Sequence, residues 1–196
     1  FINSLDTKNS EILEDIEREA LADNVPIIRR EMQSFLKVLL MVKKPMRVLE
    51  VGTAVGFSAL LMSEYVPEEC AITTIENYEK RIPIARQNFV RAGKEKKITL
   101  LEGDAMDVLK TLEGPYDFIF MDAAKGQYIH YLPEILRLLA KGGILVSDNV
   151  MQDGDVIESR FAVERRDRTI HARMREYLYE LKHNDALVTS IIPLGD

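Results

Sequence analysis

Three oxygen-bearing side chains follow two short apolar runs of this sequence. Asp122 comes directly after Tyr116–Met121, and Asp148 with Asn149 directly after Gly143–Ser147. If the two runs are neighbouring strands, two carboxylates and an amide converge at their ends. Hard oxygen donors in that number suit Mg2+, which prefers octahedral coordination and keeps positions for water or substrate. Lys125, three residues after Asp122, can place its amine beside an oxygen presented to such an ion, to take its proton or to steer the substrate. Singly, each acid is as readily a helix cap or a solvated side chain. The pair together with Lys125 is harder to explain that way. Zinc is not indicated, because His130, His171 and His183 lack ligand spacing and Cys70 has no cysteine partner.

A second group of residues could cradle a nucleoside. The run Val48–Val51 leads into Gly52-Thr53-Ala54-Val55-Gly56-Phe57-Ser58. Two glycines four apart between a strand and a helix let the backbone turn sharply and approach a ligand. The spacing is neither the G-x-G-x-x-G of dinucleotide binders nor a P-loop, and a tight turn without a ligand is the plain alternative. Glu76 ends the next apolar run, roughly 20 residues on, where a carboxylate can accept ribose hydroxyls. That suits NAD and S-adenosylmethionine equally. Gly103-Asp104-Ala105 ends a third run and could face an adenine ring or simply cap a helix.

The elements that must position these residues alternate. Apolar runs over Arg47–Val51, Ala71–Ile75, Ile98–Leu101, Tyr116–Met121, Gly143–Ser147 and Ala186–Ile192 predict strands. Between them Phe57–Tyr65, Tyr78–Ala92, Ala105–Leu112, Tyr128–Ala140 and Thr169–Lys182 predict helices. Gly142-Gly143 after Lys141 reads as a helix stop. Two further helices precede the first strand, Asn9–Asp23 and, opened by Pro26, Ile27–Met41. Strands that are apolar throughout and alternate with helices imply a parallel sheet buried on both faces, hence an α/β, doubly wound, mostly parallel fold. Ligands of such folds bind at the carboxyl ends of the strands, where all the residues above lie.

Length and composition agree. A chain of 196 residues, 46% hydrophobic and 30% charged, predicts one folded domain over 1–196, with N-terminal helices in 1–43 and the core in 46–196. No apolar run reaches the ~18 residues of a membrane helix, and no basic-then-apolar leader marks export. The lone Cys70 suits a reducing, cytoplasmic compartment. The net charge of −6 argues against non-specific nucleic-acid binding. Charge is uneven, however. Residues 157–175 carry six arginines (Arg160, Arg165, Arg166, Arg168, Arg173, Arg175) against three acids, either a solvated helix face or a local phosphate-binding patch.

In this order and spacing, VLEVGTAVGFSAL, TIE, EGDA, DAAK and SDN resemble the cation-dependent class I S-adenosylmethionine O-methyltransferases, the group of the catechol and caffeoyl-CoA enzymes. The resemblance runs from about residue 24 to the end. Within the group, VSDNVMQDG followed by SRFAVERRDRTIHARMREY looks most like the bacterial tRNA 5-hydroxyuridine methyltransferases. It implies a Rossmann-like fold, S-adenosylmethionine and Mg2+ as cofactors, and a homodimer. Glu50, Gly52 and Ser58 would hold the methionine end of the cofactor, with Met32 closing over it. Glu76 would bind the ribose, and Asp104 and Ala105 would flank the adenine. Asp122, Asp148 and Asn149 would ligate Mg2+, with Asp122 also beside the cofactor and Lys125 as its catalytic partner. Ala54 departs from the large aromatic residue of catechol methyltransferase, and no counterpart of that enzyme's catechol-orienting glutamate can be placed. The final antiparallel strand of the family does not appear before Asp196.

The expected reaction is methylation of the 5-hydroxyl of 5-hydroxyuridine in the anticodon region of tRNA. That base offers the ion its 5-hydroxyl and adjacent O4. A small vicinal phenol of catechol or caffeoyl type offers a similar bite and is the alternative. A non-catalytic S-adenosylmethionine-binding protein is the third reading, and a dehydrogenase fits least.

Overall fold

Neighbouring residues along each central strand feed opposite cores. Val48, Phe118 and Phe120 pack into one hydrophobic cluster, while Leu49, Val51, Ile119 and Met121 pack into the other. Side chains of a strand alternate between faces, so a strand covered on both sides is apolar at nearly every position, Glu50 of the first strand being an exception. Each such side chain contributes about 1.5–3 kcal/mol when fully buried. A computed structural model describes Leu5 and residues 7–194 and shows how the two cores form.

Five strands make one parallel sheet: β1 (Arg47–Val51), β2 (Ala71–Glu76), β3 (Ile98–Glu102), β4 (Tyr116–Met121) and β5 (Leu139–Ser147). Their order is β3-β2-β1-β4-β5. Helices α1 (Glu11–Ala22), α2 (Arg30–Lys43), α3 (Phe57–Tyr65) and α4 (Ile82–Arg91) supply the first core. Helices α5 (Ala105–Thr111), α6 (Tyr128–Leu138) and α7 (Arg168–His183) supply the second. Successive strands are added outward in one direction from β1 to β3 and in the other from β4 to β5, so β1/β4 is the switch point at which open α/β sheets bind ligands.

The doubly wound parallel architecture is the expected one, and β1, β4 and α3 have the expected bounds. Other boundaries move, for identifiable reasons. Helix α4 begins at Ile82 rather than Tyr78, which puts Pro83 in the first turn, where its missing N–H leaves no helix bond unmade. Helix α2 begins at Arg30; residues 24–29 form a connector, and Lys44 in the left-handed region (φ 48°) ends the helix. Gly142-Gly143 is not a helix stop. Helix α6 already ends at Leu138, Leu139 pairs with Tyr116, and the glycines lie in an irregularity before pairing resumes at Ile144–Phe118. Residues 186–192 form no strand. Val188 is fully exposed, and the segment is tied to α7 through Lys182 Nζ to the Thr189 carbonyl at 2.8 Å. Among the described residues β5 is an edge strand, and residues 186–192 do not pair with its open edge.

The apolar face of α1 (Leu13, Ile16, Ala20) is core. On α2, Leu36 and Leu40 are core, whereas Val38, Met41 and Val42 are exposed. Among the described residues no helix is long and apolar enough to cross a membrane.

Candidate functional site

The turn after β1 is built to bring backbone close to β4. Gly52 has φ +105°, and a Cβ there would lie 2.0 Å from the Asp122 carbonyl oxygen. Gly56 (φ +86°) precedes α3, and its Cβ would meet the Phe89 ring at 2.5 Å. Only glycine meets both demands. Ala54 between them also lies in the left-handed region, at φ 46°. Asn88 of α4 fixes the turn by donating to the Val55 carbonyl at 2.9 Å.

Beyond their strands, the chain ends stay in hydrogen-bonded register. Gly52 N donates to the Ile75 carbonyl at 3.1 Å and Asp122 N to the Val51 carbonyl at 2.9 Å. Asp148 N donates to the Met121 carbonyl at 2.9 Å. The side chains that follow the strands are thereby brought to the rim of one cavity of about 360 Å³. Gly52, Glu76, Ala105, Asp122, Lys125, Asp148 and Asn149 line it, which unites most of the sequence-predicted residues.

Four others lie elsewhere. Met32 lies in the first turn of α2 with its side chain in the core; Pro26, Ile27 and Ile28 of the connector line the cavity on that side. Asp104 caps α5, accepting from Met106 N at 2.8 Å, and is exposed outside the cavity, while Gly103 beside it lines the cavity. Ser58 lines only a small adjoining recess. Glu50 is completely buried beneath the turn. It accepts from Ser58 Oγ at 2.5 Å and from Thr74 Oγ1, which in turn bonds Thr53 Oγ1 at 2.5 Å. Burial pushes its carboxyl up to about 7, against the two hydroxyl donors. Its reach is therefore to the fold of the turn and not to the cavity surface.

Glu76 is buried and held from three sides. Its Oε2 accepts from Ala54 N at 2.7 Å; its Oε1 accepts from Asn77 N at 3.0 Å and Tyr78 N at 2.9 Å. A carboxylate has about four acceptor positions, so Oε2 keeps one for a ligand hydroxyl. Asn77, Arg81 and Tyr131 also line the cavity and were not singled out in the sequence. Arg81, over the Tyr78 ring at 5.3 Å, has no local sequence signature.

Asp122 and Asp148 make an electrostatically loaded pair. The Asp122 carboxyl is pushed up to about 7, first by burial and then by the charge of Asp148, with Lys125 opposing. Asp148 is buried, and Asn149 (φ 57°) donates from Nδ2 to Asp148 Oδ2 at 3.3 Å. Among the described residues no three His, Cys, Asp or Glu side chains converge. The donor set is thus two carboxylates and one amide. Their crowded negative charge, all on oxygen, fits a hard divalent cation.

The arginine run is mostly committed to structure. Arg168 donates to the Val163 carbonyl, Arg173 to the Gly126 carbonyl, and Arg175 to the Val156 and Glu158 carbonyls. Arg166 pairs with Glu164 and Asp167. Arg29 pairs with Asp153 at 2.8 Å, linking the connector before α2 to the segment after β5.

The chain matches a family model described as O-methyltransferase over residues 3–196. Caffeoyl-CoA O-methyltransferase 2 of Populus trichocarpa is 32% identical over 179 residues, 83% of this chain and 68% of that protein. Catechol O-methyltransferase of Niastella koreensis is 35% identical over 128 residues, 63% of this chain and 58% of that protein. For the catechol O-methyltransferase of Mycobacterium tuberculosis the matched part is 51% of the relative. Among solved structures, a methyltransferase of Podospora anserina bound to S-adenosylhomocysteine superposes with a TM-score of 0.87 at 27% identity, covering 97% of this chain and 86% of that one. An O-methyltransferase from Bacillus cereus, also in complex with S-adenosylhomocysteine, gives 0.81 at 27% identity, covering 93% and 83%.

Proposed function

The chain belongs to the O-methyltransferase family, and from that premise we propose that it transfers the methyl group of S-adenosylmethionine to one hydroxyl of a small vicinal phenol, of catechol or caffeoyl type. One observation carries the reading: Asp122, Asp148, Asn149 and Lys125 share a cavity with the glycine turn and Glu76. Catechol and caffeoyl-CoA enzymes among the relatives support the substrate class, and two neighbours bound to the demethylated cofactor support the methyl donor.

In this reading the turn over Gly52–Ala54 lies along the cofactor, and Glu76 accepts a ribose hydroxyl with its open Oε2 position. Asp122, Asp148 and Asn149 would hold a divalent cation, Mg2+ being the natural candidate. When bound, the cation acidifies and orients a substrate hydroxyl, and S-adenosylmethionine supplies an electrophilic methyl group. Two adjacent oxygens on the substrate match a donor set that leaves positions open on the ion. Lys125 takes the hydroxyl proton as the oxygen attacks. Ile27, Ile28 and Tyr131 line the same cavity and would give an aromatic ring apolar surface to lie against.

A 5-hydroxyuridine in tRNA presents the same pair of oxygens. Its case is the likeness of residues 145–177 to the tRNA-modifying branch, that oxygen pair and the arginine run; four members of the run bond carbonyls or neighbouring acids. Small phenols are therefore the better-supported substrates. The experiment supplies purified protein with S-adenosylmethionine and Mg2+, and offers catechol, caffeoyl-CoA and unmodified tRNA separately. Methylated phenol with untouched tRNA is expected. Methylated tRNA with inert phenols would reverse the assignment, and cofactor binding without any turnover would leave a non-catalytic binder.

A further inference from the structure

The buried hydroxyl of Tyr128 sits between the two strand ends that carry the carboxylates. Tyr128 opens α6 and is completely buried. Its Oη accepts from Ala123 N at 3.2 Å and donates to the Met121 carbonyl at 3.0 Å, so it grips the backbone on either side of Asp122. The Asp148 carbonyl lies 3.4 Å from the same oxygen. One phenol therefore touches both strand ends. Tyr177 of α7 backs it edge-on, with ring centroids 5.5 Å apart and planes at 72°. The Tyr177 hydroxyl bonds Ser147 Oγ, one residue before Asp148, at 2.6 Å.

None of this is needed for packing alone, since a phenylalanine fills the same volume. The ladder bond from Asp148 N to the Met121 carbonyl already joins the two backbones; the Tyr128 hydroxyl adds a second tie there, at Ala123 N beyond the end of β4, against the repulsion of the two carboxylates. The Lys125–Gln127 turn leads directly into Tyr128, so the same anchor also sets where Lys125 begins.

We propose that Tyr128, backed by Tyr177, is a positioning residue: its hydroxyl fixes the separation of the strand ends bearing Asp122 and Asp148 and thereby sets their affinity for a divalent cation. The inference rests on the cation site proposed above. Partners that orient first-contact ligands are typically worth about 10–100-fold in metal affinity.

The test measures Mn2+ binding by electron paramagnetic resonance, without cofactor or substrate, in the wild-type chain, Tyr128→Phe and Tyr177→Phe. S-adenosylmethionine affinity and circular dichroism are measured alongside. The proposal expects Tyr128→Phe to keep its fold and cofactor affinity while its Mn2+ dissociation constant rises about tenfold. Tyr177→Phe should weaken Mn2+ binding less. A wild-type chain that binds no Mn2+ sinks the cation site itself and this inference with it. Tight Mn2+ binding by wild type, with an unchanged constant in Tyr128→Phe, overturns only the positioning role, even if thermal stability drops. Should Tyr128→Phe not fold, an unchanged constant in Tyr177→Phe overturns the proposal, and a weakened one supports it.

Discussion

Asp148 raises the cost of ionising Asp122: its charge, after burial, is what pushes the Asp122 carboxyl up to about 7. A carboxyl with a higher pKa folded than unfolded binds protons on folding. Its contribution is present below the unfolded value of 3.8 and is lost as pH rises through about 7. The melting temperature without metal should therefore fall between about pH 4 and pH 7, and Asp148→Asn should shrink that fall. Added Mg2+ should raise the melting temperature more at the higher pH, because its ligands must be deprotonated. Thermal scans across pH, with and without Mg2+, check all three expectations.

Glu50 contributes with the same sign. Its carboxyl is pushed from 4.5 up to about 7 by complete burial, so ionising it opposes folding as pH rises. Glu50→Gln keeps the shape and removes the titration. Its stability should depend less on pH than that of wild type. Because Glu50 braces the glycine turn from below, its S-adenosylmethionine affinity should fall less than that of a Glu76 variant. Urea titrations at two pH values and calorimetry measure these effects.

Glu76→Ala removes the acceptor of three backbone N–H groups as well as the open position on Oε2. Charge-assisted hydrogen bonds are worth roughly 1.5–3 kcal/mol, so S-adenosylmethionine should bind about 10–100-fold more weakly. Isothermal calorimetry with the cofactor reads this directly, and unchanged affinity would remove Glu76 from the cofactor site.

Lys125→Met should preserve cofactor affinity and lower kcat. Loss of a general base typically costs about 10²–10⁴-fold. Single-turnover rates across pH test it; an unchanged rate would reduce Lys125 to one more cavity wall.

The central strands were legible because burial on both faces favours apolar residues in succession, as at Val48-Leu49 and Phe118–Met121. The same logic misled at Ala186–Ile192, since an apolar run reads alike whether or not a ladder partner exists. Residues after strands were legible as a class, which is why Asp122, Asp148, Asn149 and Glu76 meet at one cavity. Glu50 lies inside β1, two residues before the glycine, and strand alternation could have placed it in the core. Pro26 promised a helix start but stands in a connector, a choice made by packing, and Ile27 and Ile28 rather than Met32 line the cavity. Tyr128 read as an ordinary core residue, because its hydroxyl's partners are carbonyls and amides that no side-chain pattern reports.

Cation-dependent methyl transfer is most directly tested by following transfer from labelled S-adenosylmethionine to catechol in excess EDTA, then restoring Mg2+, for wild type and Asp148→Ala. Transfer should stop with chelator and return with Mg2+ in wild type, and should stay absent in Asp148→Ala although that variant still binds the cofactor. Undiminished transfer in EDTA by metal-free protein, or full activity of Asp148→Ala, would contradict it.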